Sequence, residues 1–228
     1  MESKLTAIFQ HSYQQLRPGA SLPQMRAQFF PFVGLKNTIA LRGTALHAKV
    51  SDQLKDAPDS VLEALAHQLL AKVLRERMNA AQVRHYRQYL SSHEVSARAH
   101  ATRQARGRKQ ITSPHGDIYH LEEIFDQLNL RYFGGTLGRP QLTWSAVRGR
   151  RRLGHYDSAH NVIVVSRIFD HHEVPRYAVE YILYHEMLHL KHPVKLQGSR
   201  RCVHGKEFKA DEKRFPQLQQ AKAFLKTL

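Results

Sequence analysis

The second half of the chain has apolar positions in a helix, strand, helix order. Residues 117–135 carry one apolar stripe at helical spacing, which Gly134 and Gly135 end. The stripe consists of Leu121, Ile124, Phe125, Leu128 and Tyr132. The runs "QLTWSAV", "RRLGHY" and "NVIVVS" predict three short strands. The segment "EVPRYAVEYILYHEMLHLKHP" then predicts a long helix between Pro175 and Pro193, so this half is an α+β unit.

The first half has a shorter pattern of the same kind. A short helix opens it, and alternation around Gly43 predicts a two-stranded hairpin over residues 37–50. A helix follows that begins near Pro58 and shows helical spacing at Leu62, Leu65, Leu69 and Val73. Tyr86 and Tyr89 lie in a further helical segment. We therefore predict a smaller α+β part at the amino terminus.

A basic stretch separates the two halves. Residues 98–115 contain five Lys or Arg residues, no acidic residue and almost no large apolar residue. Such a stretch is typical of an exposed linker, although it could instead continue the preceding helix as a solvated basic end. We divide the chain into an amino-terminal part over residues 1–97, a basic linker over 98–117 and a carboxy-terminal domain over 118–228.

Composition narrows the class of protein. Of 228 residues, 42% are hydrophobic and one is cysteine, which allows a packed core but no disulfide framework within the chain. No apolar run approaches the ~20 residues of a membrane span, so we expect a soluble cytoplasmic protein with no membrane partner. The net charge of +16 suggests an anionic partner such as nucleic acid, although a generally basic surface would give the same charge. Nothing in the sequence indicates the oligomeric state.

The stretch "YHEMLHLKH" carries candidate chemistry. His185 and His189 are four residues apart, so both imidazoles lie on one face of the predicted helix and can point at one ion. Glu186 is about 100° away around the axis, where a carboxylate can take a proton from a water molecule on that ion. The competing interpretation is a pair of core histidines. Because apolar residues flank the helix on two sides, an imidazole without a partner would be costly there.

A catalytic zinc ion takes a third protein ligand and leaves one position open. His192 lies beyond His189, but Pro193 ends the helix and three ligands along one helix diverge. Glu207, with Asp211 four residues later, resembles the second helix of glutamate-ligand zinc peptidases. His204 opens "HGKEF", a predicted helix start. Spacing alone does not separate His204 from Glu207.

Residues 119–216 resemble the SprT-like family, which includes proteases of the Spartan type. The matching stretches are "LEEIFDQLNLRYFGGTL", "LTWSA", "LGHY", "VIVVS", "YHEMLHLKH" and "HGKEF". The resemblance implies a zincin-like core of a helix, three short strands and a metal-binding helix, preceded here by the smaller α+β part. It further implies a Zn²⁺ cofactor held by His185, His189 and His204, with Glu186 as the catalytic acid/base. The implied function is a zinc-dependent metallopeptidase with a protein substrate.

The family that the sequence resembles includes proteases that act on DNA-linked proteins, which makes DNA a candidate partner. Two basic clusters could contact it: Arg106, Arg108 and Lys109 with Arg103 in the linker, and Arg148, Arg150, Arg151 and Arg152 in a predicted loop. Trp144 beside the loop could stack on a base, although a strand tryptophan is more often core. Tyr156, Arg200 and Arg201 are candidate oxyanion donors. The alternative function is a nucleic-acid-binding module with a structural zinc site and no protease activity.

The two halves also show a weak internal similarity. Each runs strand, serine, acidic turn and proline, then a helix with a glutamate five residues after that proline. With Pro58 aligned on Pro175, Gln68 and Lys72 stand where His185 and His189 do. The first half is therefore a candidate degenerate repeat without metal. The competing explanation is that any strand, turn and helix with an early proline looks similar.

Overall fold

The computed structural model describes residues 3–197 and 200–228, without the side chains of residues 195–197, 200 and 201. Two compact units divide the chain. The first consists of Met1–Gly107 with Leu196–Arg200, and the second of Arg108–Lys195 with Arg201–Leu228. The division at Gly107 lies within the predicted basic linker.

The first unit holds four helices and three strands among the described residues. In chain order these are α1 (Lys4–Leu16), β1 (Gln24–Phe30), β2 (Thr38–Arg42), β3 (Ala45–Ser51), α2 (Asp59–Leu74), α3 (Ala80–Leu90) and α4 (His93–Arg106). Polar side chains begin several of the helices: Ser3, Asn79 and Ser92 accept hydrogen bonds from backbone N–H groups of the first turn. Pro58 precedes α2, as the sequence predicted.

Helix α4 changes the interpretation of the basic stretch. It continues through Arg106, so residues 98–106 extend a helix, which was the alternative interpretation of the sequence, and do not form an irregular linker. Helical structure there is consistent with the alanines and arginines of this stretch, which are strong helix formers.

The sheet of the first unit has the strand order β1-β3-β2. Strand β2 pairs antiparallel with β3, which confirms the predicted hairpin around Gly43, whose φ is +60°. Strand β1 pairs parallel with β3 and was not predicted. Its partner lies about twenty residues away, and the short alternation of "QMRAQFF" is a weak signal by itself. Helices α1 and α2 contribute the apolar side chains that pack with the sheet.

The second unit repeats this plan. Its elements are α5 (Leu121–Phe133), β4 (Gln141–Trp144), β5 (Gly154–Asp157), β6 (Val162–Val165), α6 (Arg176–Lys191), α7 (Lys206–Glu212) and α8 (Leu218–Leu225). Two short strands, β7 (Lys195–Gln197) and β8 (Arg200–Cys202), each include residues assigned to both units. The three-stranded sheet has the order β4-β6-β5, and β7 pairs with β8. Strand β4 is parallel to β6 and β5 is antiparallel to it. The predicted helix, three strands and metal-site helix are all present, which confirms the α+β fold class.

The core of the second unit lies between its sheet and helices α5, α6 and α8. Trp144 is fully buried there, so the suggestion that its ring stacks on a nucleic-acid base is wrong. Asp170, which is 2% exposed, follows β6 and accepts hydrogen bonds from the backbone N–H groups of Asp117, Ile118 and Tyr119. This carboxylate ties the segment before α5 to the end of the sheet.

The two units share their topology. In each, a helix and three strands lead through a single 3-10 turn into a sixteen-residue helix preceded by proline. The middle strand of each sheet is the last of its three strands in chain order, β3 or β6, and it has one parallel and one antiparallel neighbour. With Pro58 aligned on Pro175, every buried residue of α2 falls on a buried residue of α6. Among the described helices, none combines the length and apolarity of a membrane span.

Candidate metal centre

Helices α6 and α7 bring three imidazoles together. His185 and His189 project from the same face of α6, and His204 stands just before α7. One ring nitrogen of each lies within 4.8 Å of those of the others. The ring centroids are 5.0 to 5.2 Å apart. Within the described part of the chain, no other histidine, cysteine or carboxylate belongs to this cluster, so the three imidazoles are positioned to bind one metal ion.

The Phe208 ring packs against all three imidazoles of the cluster. Its side chain is 2% exposed, and its ring centroid lies 4.6 to 5.1 Å from those of the three histidines. A rigid buried ring restricts the rotamers of the imidazoles around it. The "HGKEF" stretch therefore contributes both His204 and the surface against which all three rings pack.

Glu212, at the end of α7, orients His185. Its Oε1 lies 2.9 Å from His185 Nδ1, and its carboxylate also accepts from the Tyr181 hydroxyl at 3.1 Å and from Lys222 Nζ at 3.2 Å. A carboxylate on Nδ1 fixes the tautomer that leaves Nε2 free to bind a metal. The sequence analysis missed this residue. The available signal was its spacing of four from Phe208, which places both side chains on one face of α7.

Glu186 lies against strand β5. It is 6% exposed, and the Tyr156 backbone N–H donates to its carboxylate. A Cβ atom on Gly154 would come within 2.9 Å of Glu186 Oε1 and 2.8 Å of Ile182 Cγ2, so this strand position requires glycine. Burial raises the pKa of Glu186 to about 7. A carboxyl group with this pKa can both accept and return a proton near neutral pH.

The surroundings of the two α6 imidazoles lower their pKa and so favour the neutral form. Burial is the main cause that lowers the pKa of His185, and the Glu212 carboxylate partly opposes it. Burial, with the neighbouring His185 and His204 rings, lowers the pKa of His189 to about 4. Because only the neutral ring can bind a metal, no protons have to leave these two rings near neutral pH.

The structure sorts the remaining sequence candidates. His192 Nε2 lies 2.8 Å from Asp211 Oδ2, so these two side chains pair with each other. Glu207 is exposed and is not part of the histidine cluster. The Tyr156 hydroxyl donates to Asn161 Oδ1 at 3.1 Å. The side chains of Arg200 and Arg201 lie outside the described residues.

The basic candidates fall into two groups. Arg106 makes a two-pronged ion pair with Asp52, with both N–O distances 2.8 Å, and Lys109 Nζ lies 2.6 Å from Asp157 Oδ2. These two cations are largely neutralised by acidic neighbours. The others are exposed: Arg103, Arg108, Arg148, Arg150, Arg151 and Arg152. The structure therefore favours the 145–153 loop over the former linker as the more strongly charged surface.

Comparison with known families agrees with this site. A family model described as the SprT-like family matches residues 121–224, a little under half of the chain. The matched range includes α5, the three-stranded sheet, all three clustered histidines and Glu212. Searches of curated proteins and of solved structures found no match. Residues 121–224 of this chain thus match the SprT-like family, as the resemblance of its sequence motifs predicted.

Proposed function

We propose that this chain is a zinc-dependent metallopeptidase that hydrolyses peptide bonds in protein substrates. The observation that carries the proposal is the combination of three clustered imidazoles with a buried carboxyl group on the same helix. A structural zinc site fills all four positions with protein ligands, whereas a catalytic site uses three and leaves one open. The described residues supply three, which supports a catalytic site.

His185, His189 and His204 would hold the ion, and Glu212 would orient the first of them. When bound, zinc supplies Lewis acidity to the attacking water and to the scissile carbonyl group. Glu186 accepts the proton of that water and passes it to the leaving amine. The backbone N–H of Tyr156 and the absence of a side chain at Gly154 hold this carboxyl group in place.

The test is peptide hydrolysis by the Glu186→Gln variant. We expect the variant to fold and to retain metal, while its kcat falls by about 10²–10⁴-fold, because an amide cannot accept the proton. Glu180→Gln on the same helix, which removes an ion pair with Arg176, is the matched control and should cleave like wild type. Cleavage by Glu186→Gln at the wild-type rate would exclude Glu186 from the mechanism.

The same measurements separate the alternative function. A wild-type protein that binds zinc, loses its fold on chelation, binds nucleic acid and cleaves no protein would be a nucleic-acid-binding module with a structural metal. We further propose that the peptidase acts on DNA-associated proteins, which the exposed arginines of the 145–153 loop support. Phosphate contacts from such a loop would hold the domain beside its substrate.

We also propose that the first unit is a degenerate copy of the strand and helix unit that carries the metal site. The shared topology and burial pattern support this proposal. At the positions of the two helical histidines stand Gln68, whose amide donates to the Ala64 carbonyl at 3.0 Å, and Lys72. His67 is buried beside them but belongs to no metal-ligand cluster of the described residues, so we expect no metal in this unit.

A further inference from the structure

The outward face of the sheet in the first unit carries polar side chains on all three strands. Met25, Ala27, Leu46, Ala48 and Val50 point into the core, so the alternate residues face the other way. The register places Arg26 and Ala40 on either side of His47. All three are exposed, as are Gln24, Gln28, Arg42 and Lys49 on the same face.

Every ionisable residue of this face is basic. The face carries Arg26, Arg42, Lys49 and His47, and the three strands contain no acidic residue. The asymmetry extends along the chain, because residues 3–51 contain six Lys or Arg residues and no Asp or Glu. A surface of one sign concentrates ligands of the opposite sign. The face is therefore complementary to an anion that extends over several strands.

Aromatic rings stand at one end of the face. Phe30 continues the outward series of β1, and its ring centroid lies 4.7 Å from that of Phe32 at an interplanar angle of 51°. Lys49 Nζ lies 4.4 Å from the Phe30 centroid, and Lys36 Nζ lies 5.6 Å from that of Phe32. Both rings are partly exposed. Cations beside partly exposed rings offer charge to phosphates and a stacking surface to bases.

The second unit shows what covers the same face in the related fold. There, Lys109 and Thr112 contact outward side chains of the β4-β6-β5 sheet. The Thr112 N–H donates to Thr143 Oγ1 at 2.9 Å, and Lys109 pairs with Asp157. Val164 of the middle strand is 9% exposed. At the equivalent positions of the first unit, the sheet is open to solvent and carries basic side chains.

We propose that the outward sheet face of the first unit binds single-stranded nucleic acid. Arg26, Arg42 and Lys49 would contact phosphates, while Phe30 and Phe32 stack on bases. A duplex hides its bases and could use only the charges, whereas a single strand can use both parts of the surface. The residues of this surface are different from those of the candidate metal centre and of the 145–153 loop, and the proposal does not depend on peptidase activity.

The test compares two charge-matched triple variants of the full chain. Arg26→Gln, Arg42→Gln and Lys49→Gln remove the charges of the face. Lys72→Gln, Arg84→Gln and Arg87→Gln remove three exposed charges from helices α2 and α3 of the same unit. Fluorescence anisotropy with a labelled oligothymidine, over a range of salt concentrations, gives the affinity and its salt slope. Circular dichroism and thermal unfolding verify that both variants are folded.

We expect the face variant to bind at least tenfold more weakly, with a salt slope lower by about 2, since each phosphate that a protein neutralises on a single strand adds about 0.7 to the slope. The helix variant should keep the wild-type slope. An equal reduction of affinity in the two variants, or wild-type affinity in the face variant, would overturn the proposal. Because the 145–153 loop is intact in both variants, its contribution to nucleic-acid binding cancels in the comparison.

Two further probes test the stacking part. An abasic oligonucleotide of the same length presents the same phosphates without bases, so wild type should bind it several-fold more weakly. Equal affinity for the two strands would overturn base stacking by the aromatic rings. The last probe is a poly-glutamate peptide. If wild type binds this peptide more tightly than the oligothymidine, and only the face variant loses affinity for the peptide, the partner would be an acidic protein and not nucleic acid.

Discussion

At the residue scale, the candidate metal centre combines side chains with distinct proposed tasks. Three imidazoles converge, Glu212 orients one of them, and Phe208 supports all three rings. Glu186 is held apart from this set, in a buried position against β5. The proposed roles account for this separation, because a metal ligand needs a fixed geometry whereas a proton carrier needs a pKa near the working pH.

A metal titration of single variants tests these tasks. We expect His204→Ala to lose the metal, because two imidazoles cannot replace three. Glu212→Gln should bind it about 10- to 100-fold more weakly, because this substitution removes the carboxylate that fixes the His185 tautomer. Glu207→Ala removes an exposed carboxylate from the same helix and should bind as wild type does. Loss of metal by Glu207→Ala with retention by His204→Ala would reverse the assignment of the third ligand.

At the element scale, the loop that precedes α5 is held by a buried carboxylate. Asp170 follows the 3-10 turn after β6 and holds residues 117–119 just before α5 begins. Burial alone would raise the pKa of this carboxyl group, but the three backbone donors lower it below its usual value. Gly116 leaves room for it, since a Cβ there would lie 2.4 Å from Asp170 Oδ1.

The Asp170→Asn variant should reduce the free energy of unfolding by about 1–3 kcal/mol near pH 7, because an amide accepts fewer of these hydrogen bonds. Since the folded pKa of Asp170 is lowered, its stabilisation is fully present above the unfolded pKa of about 4 and is lost as the pH falls through the folded value. Urea denaturation at several pH values should therefore show the gap between wild type and variant closing in acid. Asp126→Asn, which removes an exposed ion pair with Arg139, should cost less than about 1 kcal/mol. A gap that is independent of pH would contradict this account.

At the scale of the whole molecule, the net charge of +16 is spread over distinct surfaces. Arg106 and Lys109 are paired with acidic side chains, whereas the four arginines of the 145–153 loop are exposed. The pairing of Arg106 and Lys109 therefore reduces the charge that the former linker offers to an external anion, while the charge of the loop stays available. Both basic surfaces, the loop and the outward sheet face, lie within units that share one topology.

Replacing Arg148, Arg150, Arg151 and Arg152 by glutamine should weaken binding of single-stranded DNA and flatten its salt dependence. The slope of log K against log salt should fall by about 0.7 for each phosphate that the loop no longer neutralises. A second variant, in which Arg131, Lys209, Lys213 and Lys226 become glutamine, removes the same charge from exposed positions within or just after helices of this unit. An unchanged slope in the loop variant would show that the loop is merely solvated.

The sequence by itself determined the local elements and the chemistry they carry. Helical spacing placed His185 and His189 on one face because an α-helix turns once in 3.6 residues, and this geometry does not depend on the rest of the fold. Alternation and turn residues predicted the β2–β3 hairpin and the three strands of the sheet in the second unit for the same local reason. The motif resemblance supplied the third histidine where spacing left Glu207 equally open.

Only the tertiary structure decided the contacts between elements distant in sequence. It brought His204 to the α6 imidazoles, placed Glu212 on His185, and buried Glu186 against Gly154, which raises the pKa of Glu186 to about 7. It also paired strand β1 with β3. The predicted DNA ligands Arg106 and Lys109 form ion pairs with Asp52 and Asp157, respectively. None of these contacts follows from local periodicity, since each depends on which surfaces meet when the chain packs. The pKa of Glu186 and the pairing of the basic side chains are in turn set by that packing.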